Sequence, residues 1–145
     1  MILIDANLLI YAYHADAPEH VASKRWLEDA LSGSEFVRFA WLTLWAFLRI
    51  ATHARVFEHP LSLVDAQGAI SLWLAQPNSD IAEPGERHWA ILRDLTSRGQ
   101  ATGPLTMDAA LAAIAMEHGA TLCTTDRDFA RFPGLKWRNP LEAEA

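Results

Sequence analysis

The sequence predicts an α/β sandwich in which helices flank a mainly parallel central sheet. Its 145 residues, 51% of them hydrophobic, suit one globular domain with one core. Short runs of strand-forming residues alternate with segments of helical periodicity from the start of the chain almost to its end. Two of these runs, near Ile4 and Cys123, stop at aspartates. Because parallel strands end at the same edge of a sheet, the fold and the pattern together predict an acidic edge.

Strands are predicted where short apolar or β-branched runs are bounded by turn residues. The first run ends at Asp5 and the penultimate one, which follows Gly119, ends in the charged turn after Thr125. The final strand follows Gly134 and precedes a tail, residues 140–145, that we expect to be frayed. The five predicted strands are 1–4, 35–40, a short strand around Ile81, 121–125 and 135–137.

Helices are predicted where apolar residues recur at every third or fourth position between capping signals. The third helix is apolar nearly all round, so we expect it to be buried on most sides or to form part of a subunit interface. On the fifth, Trp89, Leu92 and Leu95 should share one apolar face. The predicted helices are 8–13 after an Asn7 cap, a helix opened by the capping box 16–19 and ending near Ser32, 43–51, 62–76 before Pro77, 86–98, 106–118 before Gly119, and a short turn from Phe129 to Phe132 capped by Asp126.

Composition excludes several classes of protein. The single cysteine, Cys123, rules out a disulfide framework and a thiolate metal site, and favours a reducing, cytoplasmic compartment. The longest apolar run, residues 39–48, is too short to span a membrane, and the first residues lack a basic leader. His53 and His59 share a loop without the spacing of a zinc site.

The charge distribution bears on nucleic-acid binding. A net charge of −6 argues against a simple basic surface for phosphates. However, 12 residues are Lys or Arg, mostly Arg, and four of them follow the second acidic strand end closely. Those four are Arg127, Arg131, Lys136 and Arg138. We expect them to lie near the acids, where they could contact phosphate.

Four aspartates are candidates for one site. Asp5, Asp126 and Asp128 follow strand ends, and Asp108 lies in the first turn of the helix that leads into the second acidic strand. Three of them have a plain structural alternative: a turn residue for Asp5, a helix cap for Asp126, and a favourable helix-dipole contact for Asp108. Their convergence in a parallel sheet favours a carboxylate cluster, whose oxygens suit Mg²⁺ or Mn²⁺.

Four motifs together resemble the PIN-domain ribonucleases, in particular the VapC toxins of VapBC toxin–antitoxin pairs, over nearly the whole chain, residues 1–145. They are Ile4-Asp5-Ala6-Asn7, Trp45-Ala46-Phe47-Leu48-Arg49, Asp108-Ala109-Ala110-Leu111-Ala112-Ala113 and Thr124-Thr125-Asp126-Arg127-Asp128-Phe129. The resemblance implies a PIN-like fold and a Mg²⁺-dependent endoribonuclease, with RNA as substrate. It also implies a homodimer and a VapB-type antitoxin that occupies the groove near the active site.

The resemblance assigns roles to individual residues. Asp5, Asp108 and Asp126 correspond to metal ligands, Asp128 to an outer or additional catalytic acid, and the Thr124 hydroxyl to one that supports the site. The mechanism it implies is hydrolysis of a phosphodiester by a metal-activated water.

One position departs from the family pattern. Where the family's second acid normally stands, this chain has Ala46, which predicts reduced activity. The alanine is natural or was introduced to disable a toxic nuclease, and the sequence leaves both open, as it does the identity of the RNA target. Three alternatives to a nuclease follow: an aspartate-dependent phosphotransferase, a receiver-like signalling domain, and a non-catalytic antitoxin-binding dimer. The first lacks a second acid two residues after Asp5, and the second lacks a phosphoacceptor at the end of the strand 36–40.

Overall fold

The central sheet has five strands, all parallel, in the computed structural model, which describes residues 1–142. The order β3-β2-β1-β4-β5 places β1 and β4, the two strands that precede the acids, side by side in the middle, with Ile4 opposite Cys123. The strands are β1 Ile2–Ile4, β2 Val37–Phe39, β3 Ser79–Ile81, β4 Thr121–Cys123 and β5 Trp137–Arg138. This confirms the predicted α/β class. The predicted frayed tail, 140–145, lies partly outside the described residues.

Six α-helices and a short 3₁₀ helix connect the strands. Gly119, with a φ of 66°, ends the last α-helix in the left-handed conformation that glycine adopts readily. The helices are α1 Ala6–Tyr13, α2 His20–Ser32, α3 Trp41–Ala51, α4 Leu63–Leu74, α5 His88–Arg98, α6 Leu105–His118 and the 3₁₀ helix Arg127–Arg131. No helix of residues 1–142 is long and apolar enough to cross a membrane.

Two hydrophobic layers cover the two faces of the sheet. Alternation along β1 sends Ile2 and Ile4 to one layer and Leu3 to the other. The first layer centres on Trp73, whose ring stacks on Phe39 with centroids 5.9 Å apart. The second packs the alanine-rich α6 against the sheet. A close-packed layer on each face holds β1 and β4 in position. It therefore also positions the acids that follow these strands.

Several local predictions need correction. The α1 helix is capped by Asp5 rather than Asn7, because the Asp5 Oδ1 accepts the Ala6 backbone N–H at 2.7 Å. The predicted capping box at 16–19 does not form: α2 begins at His20, after backbone turns, and Glu19 makes no side-chain cap bond. Trp89 does not join Leu95 in the core but is 67% exposed. By contrast, Ser62 caps α4 as predicted.

The α3 helix is exposed along one stripe only. Leu44, Phe47 and Ala51 pack into the core, whereas Trp41 and Trp45 are exposed. The expectation that this helix is buried on most sides therefore holds apart from that stripe, and its alternative, a place at an interface, stays a prediction.

Candidate active site

The ends of β1 and β4 are joined through one hydroxyl. Thr124, which directly follows β4, is fully buried and donates its hydroxyl hydrogen to Asp5 Oδ2 at 2.7 Å. Its Oγ1 accepts the Asp126 backbone N–H at 3.0 Å and lies 3.3 Å from the amide nitrogen of Asn7. The hydroxyl therefore fixes the orientation of the Asp5 carboxylate and ties the loop after β4 to the end of β1.

Asp126 and Asp128 follow in that loop. The Asp126 side chain caps the 3₁₀ helix, accepting the Asp128 backbone N–H at 2.9 Å. Asp126 is half-buried and Asp128 is exposed. The capping interpretation of Asp126 is thus confirmed, and it leaves the second carboxylate oxygen of Asp126 free of the cap.

The pKa of Asp108 responds to the charges of the other three acids. It sits in the first turn of α6, half-buried, and desolvation is the largest cause that raises its pKa, from 3.8 to about 6. The charges of Asp126, Asp5 and Asp128 raise the pKa further, and Arg131 opposes them. Burial also raises the pKa of Asp5, against the opposing hydrogen bonds from Thr124 and Ala6. All four aspartates therefore share one electrostatic environment.

A groove of about 530 Å³ is lined by two of the four acids, Asp5 and Asp108. Asp5 contributes from the end of β1, α6 contributes Asp108, and α3 contributes Ala46. The position where the family pattern has an acid thus lines the same groove as two of the predicted ligands. The lining residues are Asp5, Ala6, Leu42, Thr43, Trp45, Ala46, Arg49, Met107, Asp108 and Leu111.

The donor chemistry fits a hard cation held partly by water. Across residues 1–142, no group of three histidine, cysteine, aspartate or glutamate side chains is placed to hold a metal ion together. Mg²⁺ is usually held by one or two carboxylates and keeps several waters, which suits Asp5 and Asp108 with the charge of Asp126 nearby. Two buried oxygens at this end of the fold, Asn7 Oδ1 and Thr43 Oγ1, find no hydrogen-bond partner among the described residues. Because buried polar atoms normally have hydrogen-bond partners, these two oxygens indicate that a further polar group binds at the site.

The basic residues are arranged differently from the prediction. Arg131 lies near enough to Asp108 to lower its pKa, while its Nη1 donates to the Gly99 carbonyl. Arg127 instead pairs with Glu142 at 2.9 Å, and Arg138 lines a separate pocket. Sequence reasoning missed Arg49, which lines the groove. Its position one turn beyond Ala46, on the same helix, was the available signal.

Asp108 is expected to make stability depend on pH. Its folded-state pKa, about 6, exceeds the ordinary 3.8, so the folded protein holds this proton more tightly than the unfolded chain does. The contribution of Asp108 to stability is greatest below its ordinary pKa and is lost as the pH rises towards 6. Asp108→Asn should therefore gain stability relative to the parent by roughly 1–2 kcal/mol across this window, after allowance for solvent screening.

Urea unfolding in EDTA at several pH values measures this difference. Asp65→Asn is the matched control, because Asp65 also lies in the first turn of a helix but outside the groove. A stability difference between Asp108→Asn and the parent that does not change between about pH 4 and 6.5 would contradict the burial and charge argument.

Comparison with known proteins places the chain in a family. Residues 2–135 match the PIN domain family model. Ribonuclease VapC37 of Mycobacterium tuberculosis is 41% identical over 140 residues, covering 97% of each chain. Ribonuclease VapC43 of the same species is 41% identical over 144 residues, covering 99% of this chain and 98% of the relative.

Solved structures agree on the fold. VapBC2 from Rickettsia felis, bound to a DNA fragment from its promoter, gives a TM-score of 0.67 at 16% identity, covering 96% of this chain and 98% of that one. VapC20 of Mycobacterium tuberculosis, described as a Sarcin-Ricin loop cleaving toxin, gives 0.67 at 16% identity, covering 94% and 99%. The sequence motifs, the parallel sheet and these matches agree: the chain belongs to the PIN-domain family and, within it, to the VapC group.

Proposed function

We propose that this protein is a metal-dependent endoribonuclease, the toxin of a VapBC toxin–antitoxin pair. One observation carries the proposal: Asp5, Asp108 and Asp126 share one electrostatic environment beside a groove that Asp5 and Asp108 line, and Thr124 hydrogen-bonds both Asp5 and the backbone of Asp126. The relatives support it, since two proteins 41% identical to this chain are named ribonucleases.

We assign the residues the following roles. Asp5 and Asp108 would hold Mg²⁺, or Mn²⁺ in its place, with the charge of Asp126 beside them and Asp128 as an outer acid. The bound cation would activate a water and stabilise charge on the phosphodiester. Thr124 positions the Asp5 carboxylate through its 2.7 Å hydrogen bond. The raised pKa of Asp108 means that a cation, by favouring its ionised form, would displace a proton from it at about pH 6 and below.

Reduced activity is part of the proposal. Ala46 is half-buried and lines the groove with Asp5 and Asp108, so the site has one carboxylate fewer than the family pattern. This position favours one alternative, a non-catalytic dimer that only binds an antitoxin. The two functions differ in whether the remaining acids still hold a cation that cleaves RNA.

A cleavage assay tests the nuclease. A defined RNA is incubated with the parent chain and with Ala46→Glu, in Mg²⁺ and in EDTA, and the fragment ends are sequenced to locate the cut. We expect weak cleavage by the parent, strong cleavage by the variant, and none in EDTA. Cleavage that persists in EDTA would contradict the proposed function. So would a failure of both proteins to cleave the RNA in Mg²⁺.

The proposed macromolecular partner is a VapB-type antitoxin. Several solved structures that share the fold are described as VapBC complexes, among them VapBC-1 from nontypeable Haemophilus influenzae. The groove offers apolar walls from Leu42 and Met107 and an acidic end, which suit an amphipathic segment carrying a basic side chain. The cytoplasm is the compartment we propose, in keeping with the free, buried Cys123.

A homodimer is expected from the exposed apolar surface. Trp41, Trp45 and Trp89 are 41%, 65% and 67% exposed, so half of the six tryptophans lie largely outside the core. Light scattering across micromolar concentrations should give twice the mass of the 16.1 kDa chain. A strictly monomeric mass throughout that range would contradict the dimer.

A further inference from the structure

An aromatic and cationic stripe runs along the exposed side of α3, at one wall of the groove. The α3 stripe consists of Trp41, Trp45 and Arg49, which are spaced four residues apart and therefore lie on one face of the helix. The Trp45 side chain is 65% exposed. Arg49 is exposed and makes no ion pair or hydrogen bond within residues 1–142. Two members of the stripe, Trp45 and Arg49, line the groove. The proposed catalytic mechanism gives neither of them a role.

The composition of the groove matches the parts of a nucleotide. Trp45 offers an open aromatic face, and Arg49 stands one helical turn further, about 6 Å along the axis. Among the described lining residues, Arg49 is the one cation. Asp108 and Met107, the latter 55% exposed, belong to the facing helix, α6. An indole face suits a base, a guanidinium suits a phosphate, and the acids suit the cation beside the reacting phosphate.

Resting on the proposed function, we propose that Trp45 stacks an unpaired base of the RNA substrate while Arg49 binds a neighbouring phosphate. The stacked base must be unpaired, because a base inside a duplex is already stacked and cannot offer its face. Stacking does not depend on positive charge, so it suits a chain whose net charge is −6.

The unpaired guanidinium favours an anionic occupant over a purely apolar one. A helix that only docked an apolar peptide would gain from a continuous apolar face. Here the exposed face instead changes from indole to guanidinium within about one turn, from Trp45 to Arg49, and both residues line the groove that Asp5 and Asp108 also line. That order of groups suits a base followed by its phosphate.

Fluorescence anisotropy tests the inference with the parent chain, whose expected slow cleavage leaves time for a binding measurement. The probe is a labelled single-stranded RNA of about 12 nucleotides, compared with a duplex of equal length and with an abasic strand. Trp45→Ala should weaken binding of the single strand about 10-fold and leave binding of the abasic strand unchanged. Trp45→Phe should retain most of the affinity. Trp89→Ala is the matched control, since Trp89 is equally exposed but lies on α5, outside the groove, and we expect a change below about two-fold.

The outcomes separate this inference from the function beneath it. RNA binding by the parent that Trp45→Ala leaves unchanged, or equal losses on normal and abasic strands, would overturn the stacking role while leaving the nuclease intact. So would a Trp45→Ala variant that turns a dimer into a monomer, because Trp45 would then be a subunit contact. Absence of RNA binding by the parent would contradict both the inference and the proposed function.

Discussion

Ala46→Glu is expected to raise Mg²⁺-dependent RNA cleavage about 10- to 100-fold above that of the parent chain. Ala46 lines the groove with Asp5 and Asp108, so a carboxylate there can reach the same cation or one of its waters. An added negative ligand strengthens a hard-cation site. We also expect the variant to be toxic to a host that lacks the antitoxin.

The surroundings of Ala46 suit a polar side chain. The residue is half-buried rather than packed against the sheet, which argues against a buried, unpartnered glutamate. Thr43 lies one turn earlier, lines the same groove, and has a buried Oγ1 without a hydrogen-bond partner among residues 1–142. A glutamate at position 46, three residues further along the helix, can accept a hydrogen bond from the Thr43 hydroxyl. Without metal, the extra charge beside Asp5 and Asp108 should lower stability by about 1 kcal/mol.

Two comparisons isolate the role of the charge. Ala46→Gln adds nearly the same volume without the negative ligand, and we expect it to cleave no faster than the parent. Combining Thr43→Val with Ala46→Glu should lose part of the gain, since the carboxylate is then less well oriented. If Ala46→Glu unfolds the protein in Mg²⁺, or cleaves RNA no faster than the parent or Ala46→Gln, the missing-ligand interpretation is wrong.

The parallel sheet and most helix ends could be predicted because their signals are local. The apolar run before Asp5 and the one before Asp126 form parallel strands, as their alternation with helices predicts, and the structure shows that the two strands are neighbours. What the local pattern could not decide was the choice between a cap and a site residue. Asp5 and Asp126 each cap a helix, and each also contributes charge to the shared site. A helix cap and a metal ligand both favour a short acidic side chain directly after a strand. The same sequence pattern is therefore compatible with either role.

The parts that the sequence did not reveal depend on which way a helix faces. Because α3 is apolar nearly all round, its sequence does not indicate which side faces the core. Only packing decides that Phe47 is buried while Trp45 is exposed. The same holds for Trp89, whose helical spacing from Leu92 suggested a core position it does not occupy. Arg138 lies on the last strand, close to the acids along the chain, but it lines another pocket. Distance along the sequence is a poor guide to such placements, because a strand sends successive side chains to opposite faces of the sheet and a helix distributes them around its axis.

Asp5→Asn is expected to raise stability in EDTA and to abolish stabilisation by Mn²⁺. In the parent, burial raises the pKa of Asp5, so the ionised carboxylate is held at a cost that the amide does not incur. The amide oxygen can still accept the Ala6 N–H, because Asn caps helices as well as Asp does. The charge-assisted bond from Thr124 is weakened, which offsets part of the gain. The melting temperature in EDTA should rise by a few degrees.

Thermal unfolding with and without Mn²⁺ measures both effects. At about 100 times the dissociation constant, Mn²⁺ should stabilise the parent by about 2.7 kcal/mol, or about 5–10 °C. Asp5→Asn should show almost none of this shift, whereas the control Asp65→Asn, on α4 outside the groove, should show it in full. A Mn²⁺ shift equal to that of the parent would remove Asp5 from the metal site. A lost shift accompanied by a lower melting temperature in EDTA would instead contradict the desolvation argument, because the bond from Thr124 would then outweigh the cost of burying the charge.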